Sequence, residues 1–176
     1  MYDVVLLIEK ALSKLDVQQV ASLHESIEET VHYHVILPVE DAATRIETAL
    51  GSIAASEVLA TSAMNFPETD LEQLQREIRA EAEAQLNASL ELIRASGHEV
   101  SGTLTPIDPV DALATAVDAE GAEEAIVLTR PHVVAEFFHL DWTSKARRRI
   151  GVPCLHLLER ETFDEQAGPG EGVSGL

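Results

Sequence analysis

The hydrophobic positions along the chain alternate between short continuous runs and longer stretches with helical spacing. Continuous apolar runs are typical of strands that are covered on both faces, as in a parallel sheet. They predict strands at 2–8, 31–39, 125–129 and 152–158, and a weaker pattern predicts a further strand at 99–105, which makes five. The stretches between them repeat apolar residues every three or four positions. They predict amphipathic helices at about 14–29, 67–96, 109–119 and 142–150.

Local signals support several of these boundaries. Gly97 follows the longest apolar stripe, and glycine is common just beyond the end of a helix. Asp108 is a good helix cap, and Pro109 suits the first position of the helix that follows. A further periodic segment at 41–60 predicts an extra helix, inserted after the second strand within an insertion at about 40–66.

The alternation of strands and helices predicts an α/β fold. Parallel strands joined by right-handed helical crossovers form a doubly wound five-stranded parallel sheet with helices on both faces, which gives three layers. A chain of 176 residues suits one domain, which we expect at 1–160. The remainder, 161–176, is polar and rich in glycine, so we expect a disordered tail.

The charge balance excludes some function classes. The chain has 31 acidic and 12 basic residues, for a formal net charge of −19. Such a surface repels phosphate backbones and anionic headgroups, so we expect no nucleic-acid partner and no membrane partner. No apolar run is long enough to span a bilayer. Cys154 is the single cysteine, which precludes an internal disulfide, and we predict a cytoplasmic protein.

The order of elements and the last third of the chain carry a family resemblance. The segments DPVDALATAV, GAEEAIVL and RRRIGVPCLHLL, with five strands in this order, resemble the universal stress protein family over residues 2–159. The resemblance implies the strand order 3-2-1-4-5, with a crevice between the first and fourth strands. It also implies a homodimer formed through the last strand, Val152–Leu158.

Many members of that family bind ATP through a G-x2-G-x9-G-[ST] motif after the fourth strand. On that pattern, the glycine positions fall on Leu128, Pro131 and Asp141 (or Trp142), and none of these is glycine. Glycine lets backbone N–H groups approach a phosphate, and proline removes a donor. We therefore predict that the family's mode of ATP binding is absent, and we predict no cofactor.

Eight residues are candidates for contacts with a ligand in the crevice. Glu9 takes the place of the family's aspartate after the first strand, and Lys10 stands where the family often has glycine. Arg130 and Lys145 could hold an anion by charge-assisted hydrogen bonds. The full set is Glu9, Lys10, Arg130, His132, His139, Thr143, Ser144 and Lys145. The alternative is that the basic residues form a solvated helix face and pair with the surplus carboxylates.

The seven histidines do not show a recognisable metal motif. His132 and His139 could act together on one loop, but no third ligand stands at a known spacing, so we predict no metal site. His32 and His34 share one face of a strand, which burial or exposure at a sheet edge explains. No nucleophile motif is present, so no catalytic residue is predicted and an enzymatic role is not expected.

These observations lead to three functional hypotheses. The first is a non-catalytic, stress-related binding or regulatory module that lacks the family's ATP mode. The second is a nucleotide-binding protein or weak nucleotide hydrolase that grips phosphate through Arg130, Lys145 and the hydroxyls of Thr143 and Ser144. The third is a structural dimerisation or interaction protein whose crevice is filled by the aromatic residues at 137, 138 and 142.

Overall fold

The computed structural model describes residues 1–39, 68–106, 108–129 and 149–160. Five strands and three helices lie in these ranges. The strands are β1 (Tyr2–Ile8), β2 (Val31–Pro38), β3 (Glu99–Thr105), β4 (Glu124–Thr129) and β5 (Cys154–Leu158). The helices are α1 (Lys14–Ser22), α2 (Glu68–Ala95) and α3 (Pro109–Glu120).

The five strands form one parallel sheet with the order β3-β2-β1-β4-β5. β1 lies at the centre, where Tyr2 pairs with Val31 of β2 and Ile8 pairs with Leu128 of β4. The predicted fold class and strand order are therefore confirmed. The crossovers reverse direction beside β1, and in folds of this kind the ligand crevice lies at that point, between the carboxyl ends of β1 and β4.

The apolar side chains of the strands divide into two cores, one on each face of the sheet. The first core joins alternate strand residues to α1 and α2, through side chains such as Val20 and Leu90. The second core joins the opposite strand faces to α3, through Leu113 and Val117. Because β1 is covered on both faces, its run Val4–Ile8 is fully apolar. The three layers are those that the sequence predicts.

The helix boundaries follow the local signals, with one exception. Gly97 adopts a left-handed φ of 93° just beyond α2, and the Asp108 carboxylate accepts hydrogen bonds from the backbone at the start of α3. The prediction that the first helix reaches residue 29 is wrong, because α1 ends at Ser22. The chain turns there so that His24 can point inward, where it is 4% exposed and hydrogen-bonded.

Several sequence predictions lie outside the described residues. These are the inserted helix at 41–60, the aromatic residues at 137, 138 and 142, and the tail at 161–176. Only residues 149 and 150 of the predicted helix at 142–150 are described, and both are helical. Of the helices in the described ranges, none combines the length and the apolar character needed to cross a bilayer.

Candidate functional site at the carboxyl edge of the sheet

The candidate site lies where the parallel strands end, which we call the carboxyl edge. In open α/β sheets, ligands bind in the crevice at this edge where the strand order reverses. Here the reversal lies between β1 and β4. Glu9 and Lys10 follow β1 directly, as the sequence predicts, and Glu9 is half-buried while Lys10 is exposed. Both residues therefore stand at one wall of the crevice.

The other wall of the crevice is formed by the end of β4. Leu128, which occupies the first glycine position of the ATP motif, lies inside this strand and is 0% exposed. It pairs with Ile8 of β1 on one side and with Leu157 of β5 on the other. Its side chain belongs to the first core. A core leucine therefore stands where the family's motif begins.

Thr129 ends β4 and forms the polar part of this wall. Its hydroxyl lies 2.7 Å from Nε2 of His156, and its carbonyl oxygen accepts a hydrogen bond from the backbone N–H of Glu159. Burial lowers the pKa of His156 below its ordinary value of 6.5, so the imidazole is neutral at neutral pH. His156 is not among the candidate residues that the sequence predicts, although the parallel pairing of β4 and β5 brings it near Thr129.

The amino-terminus of α1 faces the same edge, and a capping box engages two of its backbone donors. The Ser13 hydroxyl accepts from the backbone N–H of Asp16, and the Asp16 carboxylate accepts from the backbone N–H of Ser13. Asp16 also accepts a 2.6 Å hydrogen bond from the backbone N–H of Arg160. Because Asp16 is 1% exposed and places a carboxylate at this helix end, an anionic ligand is disfavoured there.

The other six candidate residues lie outside the described part of the chain. They are Arg130, His132, His139, Thr143, Ser144 and Lys145. Among the described ranges, the structure therefore brings together Glu9 and Lys10 from the predicted set, and it adds Thr129 and His156.

A second polar cluster lies at the opposite, amino edge of the sheet, beside α1. His24 Nδ1 lies 2.8 Å from the Tyr33 hydroxyl, and His24 Nε2 lies 2.8 Å from Oε1 of Glu124. The hydrogen bond from His24 lowers the pKa of the Glu124 carboxyl, and burial raises the pKa of Tyr33. Each of these three side chains is hydrogen-bonded to another member of the cluster, which identifies it as a structural network.

Comparison with known proteins identifies the fold. No protein-family model matches the chain, and no curated protein matches it. Among solved structures, the hypothetical protein MJ0577 is 11% identical with a TM-score of 0.60, covering 92% of this chain and 99% of that one.

Two further solved structures are universal stress proteins. The one from Archaeoglobus fulgidus is 13% identical with a TM-score of 0.53, covering 89% of this chain and 93% of its own. A family protein from Arabidopsis thaliana with AMP bound is 9% identical with a TM-score of 0.53, covering 97% of both chains. The chain therefore has the universal stress protein fold.

Proposed function

We propose that this chain is a non-catalytic, stress-related binding or regulatory module whose ligand binds in the crevice at the carboxyl edge. The ligand is a small anionic or aromatic molecule that binds away from the carboxylate at the amino-terminus of α1, and it is not held by a glycine-rich phosphate loop. The observation that carries the proposal is Leu128, a fully buried core residue at the first motif position.

The position of Leu128 bears on phosphate binding because a phosphate loop needs free backbone N–H groups. Leu128 is flanked by Ile8 and Leu157 in the hydrogen-bonded sheet, so its backbone serves the strand ladder. The nearby amino-terminus of α1 is capped by its own residues Ser13 and Asp16. The described polar side chains that lie at this edge are those of Glu9, Lys10, Thr129 and His156.

A second candidate is nucleotide binding through side chains. It is favoured by the Arabidopsis structure, which has AMP bound and shares this fold. In this candidate, Arg130 and Lys145 would supply positive charge to the phosphate, and the hydroxyls of Thr143 and Ser144 would supply hydrogen bonds.

Thermal unfolding in the presence of ligands separates the two candidates. A ligand at about 100 times its Kd adds about 2.7 kcal/mol, which for a chain of this size raises Tm by roughly 5–10 °C. We expect no stabilisation by ATP, ADP, AMP or cyclic AMP, and stabilisation by at least one compound in a panel of anionic and aromatic metabolites. A nucleotide shift of several degrees would overturn the proposal.

Variants assign any shift to its site. If a nucleotide stabilises the chain, Arg130→Ala and Lys145→Ala should abolish the effect, whereas Arg149→Ala should leave it intact. Arg149 is a matched control because its guanidinium pairs with Asp111 at 2.7 Å. If another metabolite stabilises the chain, Glu9→Gln and Thr129→Val should reduce the shift. An absence of any stabilising compound would favour the structural hypothesis with a filled crevice.

We also propose that the chain forms a homodimer through its last strand. Among the described strands, β5 lies at one edge of the sheet, and Leu155 on it is 41% exposed. An exposed apolar residue on an edge strand suits pairing with a second copy. Sedimentation velocity should show a dimer that Leu155→Lys converts to monomer. Thr103→Lys on β3, the other edge, should leave the dimer unchanged; a wild-type monomer would refute the proposal.

The cytoplasmic location and the domain limits stay predictions. They rest on the acidic composition, the single cysteine and the polar character of residues 161–176.

A further inference from the structure

Three potential metal ligands converge at the amino edge of the sheet, on the face that α3 covers. Oδ1 of Asp3 lies 2.8 Å from Nε2 of His34 and 3.3 Å from Nδ1 of His32. One ligand atom from each residue lies within 4.8 Å of the others. Two imidazole nitrogens and a carboxylate oxygen therefore face one small volume.

The backbone explains this convergence. His32 and His34 alternate along β2, so their side chains leave the same face, where the ring centroids are 4.1 Å apart. Asp3 of β1 is the register partner of His32. All three residues belong to adjacent strands near the centre of the sheet, and rigid elements hold ligands more accurately than loops do.

The second ring nitrogen of His34, Nδ1, contacts two further residues. It lies 2.9 Å from the Ser101 hydroxyl and 3.5 Å from Oε2 of Glu120. Metal-binding histidines commonly donate their second ring N–H to a carboxylate or another oxygen, which fixes the tautomer. Glu120 and Ser101 can accept a proton on Nδ1, so a bound cation could replace the Nε2 hydrogen bond to Asp3 and be coordinated by both atoms.

The surroundings favour a cation. The carboxylates of Asp3 and Glu120 pair with the histidines, and the Glu123 carboxylate accepts the backbone N–H of Asp3 at 2.7 Å. The side chain of His34 is 10% exposed, and those of His32 and Asp3 are 21% exposed. The three side chains are thus largely, but not fully, shielded from bulk water.

The geometry points to a binding site for a divalent late first-row metal ion, with zinc as the natural probe, formed by Asp3, His32 and His34. Imidazole nitrogen suits zinc and its neighbours, whereas magnesium and calcium prefer oxygen ligands. Three protein ligands leave further coordination positions to water. The site lies at the edge opposite the crevice, so it stands independently of the proposed function. It departs from the sequence prediction of no metal site.

Calorimetric titration of the untagged, metal-free chain with zinc at neutral pH tests this inference. We expect one zinc ion per chain. Asp3→Asn keeps the size of the side chain but removes its charge, and His32→Gln removes an imidazole. Each should weaken zinc binding by more than the roughly 10–100-fold that loss of an outer-shell partner typically costs. Ser101→Ala should weaken it by about 10-fold.

Control variants distinguish this site from the other histidines. His98→Asn removes a half-buried imidazole that packs edge to face against Tyr33 of the first core, and the double variant His132→Ala/His139→Ala removes two further imidazoles. Both should bind zinc as the wild type does. Failure of the wild type to bind, or zinc binding that survives Asp3→Asn and His32→Gln, would overturn the inference. So would a loss of binding in the loop variant.

A spectroscopic readout guards against variants that simply unfold. Cobalt(II) substituted at a site with two imidazoles gives visible absorption bands whose intensity reports the coordination geometry. We expect these bands in the wild type and in His98→Asn, and we expect them to be lost in His32→Gln while its circular dichroism stays that of the folded chain. Unaltered cobalt bands in a folded His32→Gln would refute the assignment.

Discussion

The two edges of the sheet differ in what their polar side chains do. At the carboxyl edge, the described polar groups mostly satisfy one another, as Thr129 does with His156 and Ser13 with Asp16. At the amino edge, titratable groups gather on both faces: Asp3 with His32 and His34 beside α3, and His24 with Glu124 beside α1.

This difference shows that the fold determines where a crevice lies, whereas the individual side chains determine what can bind. The doubly wound topology puts a crevice at the carboxyl edge of any chain that adopts it. It does not supply the groups that bind a ligand, because function resides in the particular side chains. Here Leu128 fills the position of a phosphate-binding glycine, while the opposite edge carries a ligand set for a metal.

The largest expected effect comes from restoring the glycine at the carboxyl edge. Leu128→Gly should lower the free energy of unfolding by about 3–6 kcal/mol, because it removes a core side chain and adds backbone freedom. Urea unfolding measures this change. Thr103→Gly, at an exposed position of β3, is the control for the backbone effect and should cost only about 1 kcal/mol.

This variant contradicts the comparison between the two edges if Leu128 proves unimportant for stability. Two results together would contradict the comparison: a Leu128→Gly chain as stable as Thr103→Gly, and stabilisation of that chain by ATP. They would mean that the natural Leu128 alone prevents phosphate binding at a site that is otherwise intact.

A smaller effect is expected at the amino edge, from Glu124→Gln. The His24 bond to Glu124 is charge-assisted, so its loss should cost about 1.5–3 kcal/mol at neutral pH. The pKa of Glu124 is lowered in the folded chain, so its contribution is present above the ordinary value of 4.5 and is lost as the pH falls through the folded value. The difference in the free energy of unfolding between the wild type and Glu124→Gln should therefore become smaller at acidic pH.

The control for this variant is Glu99→Gln on β3, where the side chain is exposed. Its unfolding free energy should match that of the wild type within about 0.5 kcal/mol. Equal behaviour of Glu124→Gln and Glu99→Gln across the pH range would show that the network beside α1 has no energetic role.

The smallest effect is expected from Thr129→Val at the carboxyl edge. The bond between Thr129 and the neutral His156 should be worth about 1 kcal/mol. Because the pKa of His156 is lowered in the folded chain, wild-type stability falls as the pH drops below 6.5, where the unfolded chain binds the proton more readily. Chemical unfolding of both chains from neutral to acidic pH measures the two effects. A Thr129→Val chain that loses as much stability as Leu128→Gly would contradict the predicted order of effects.

The sequence predicts the fold well because the signals are local. The strands predicted at 2–8 and 99–105 match β1 and β3 residue for residue, and Gly97 and Asp108 mark helix boundaries that the structure confirms. The end of α1 was missed because it depends on His24, whose partner Glu124 lies 100 residues further along the chain.

The sites are harder to predict because they depend on pairing between strands. The period of two puts His32 and His34 on one face, but the third ligand, Asp3, joins them only through the parallel register of β1 and β2. The spacing of metal ligands in the sequence carries no sign of this register. At the carboxyl edge, Glu9 was located from the end of an apolar run, and Thr129 with His156 again required the pairing of strands.

The most direct test of the contrast between the edges is a proton–nitrogen correlation spectrum of the histidine side chains, recorded while the nitrogen-labelled chain is titrated with zinc and then with ATP. We expect the imidazole signals of His32 and His34 to shift with stoichiometric zinc, and the signal of His156 to stay in place with either addition. Zinc that leaves His32 and His34 unmoved, or ATP that shifts His156, would contradict the comparison.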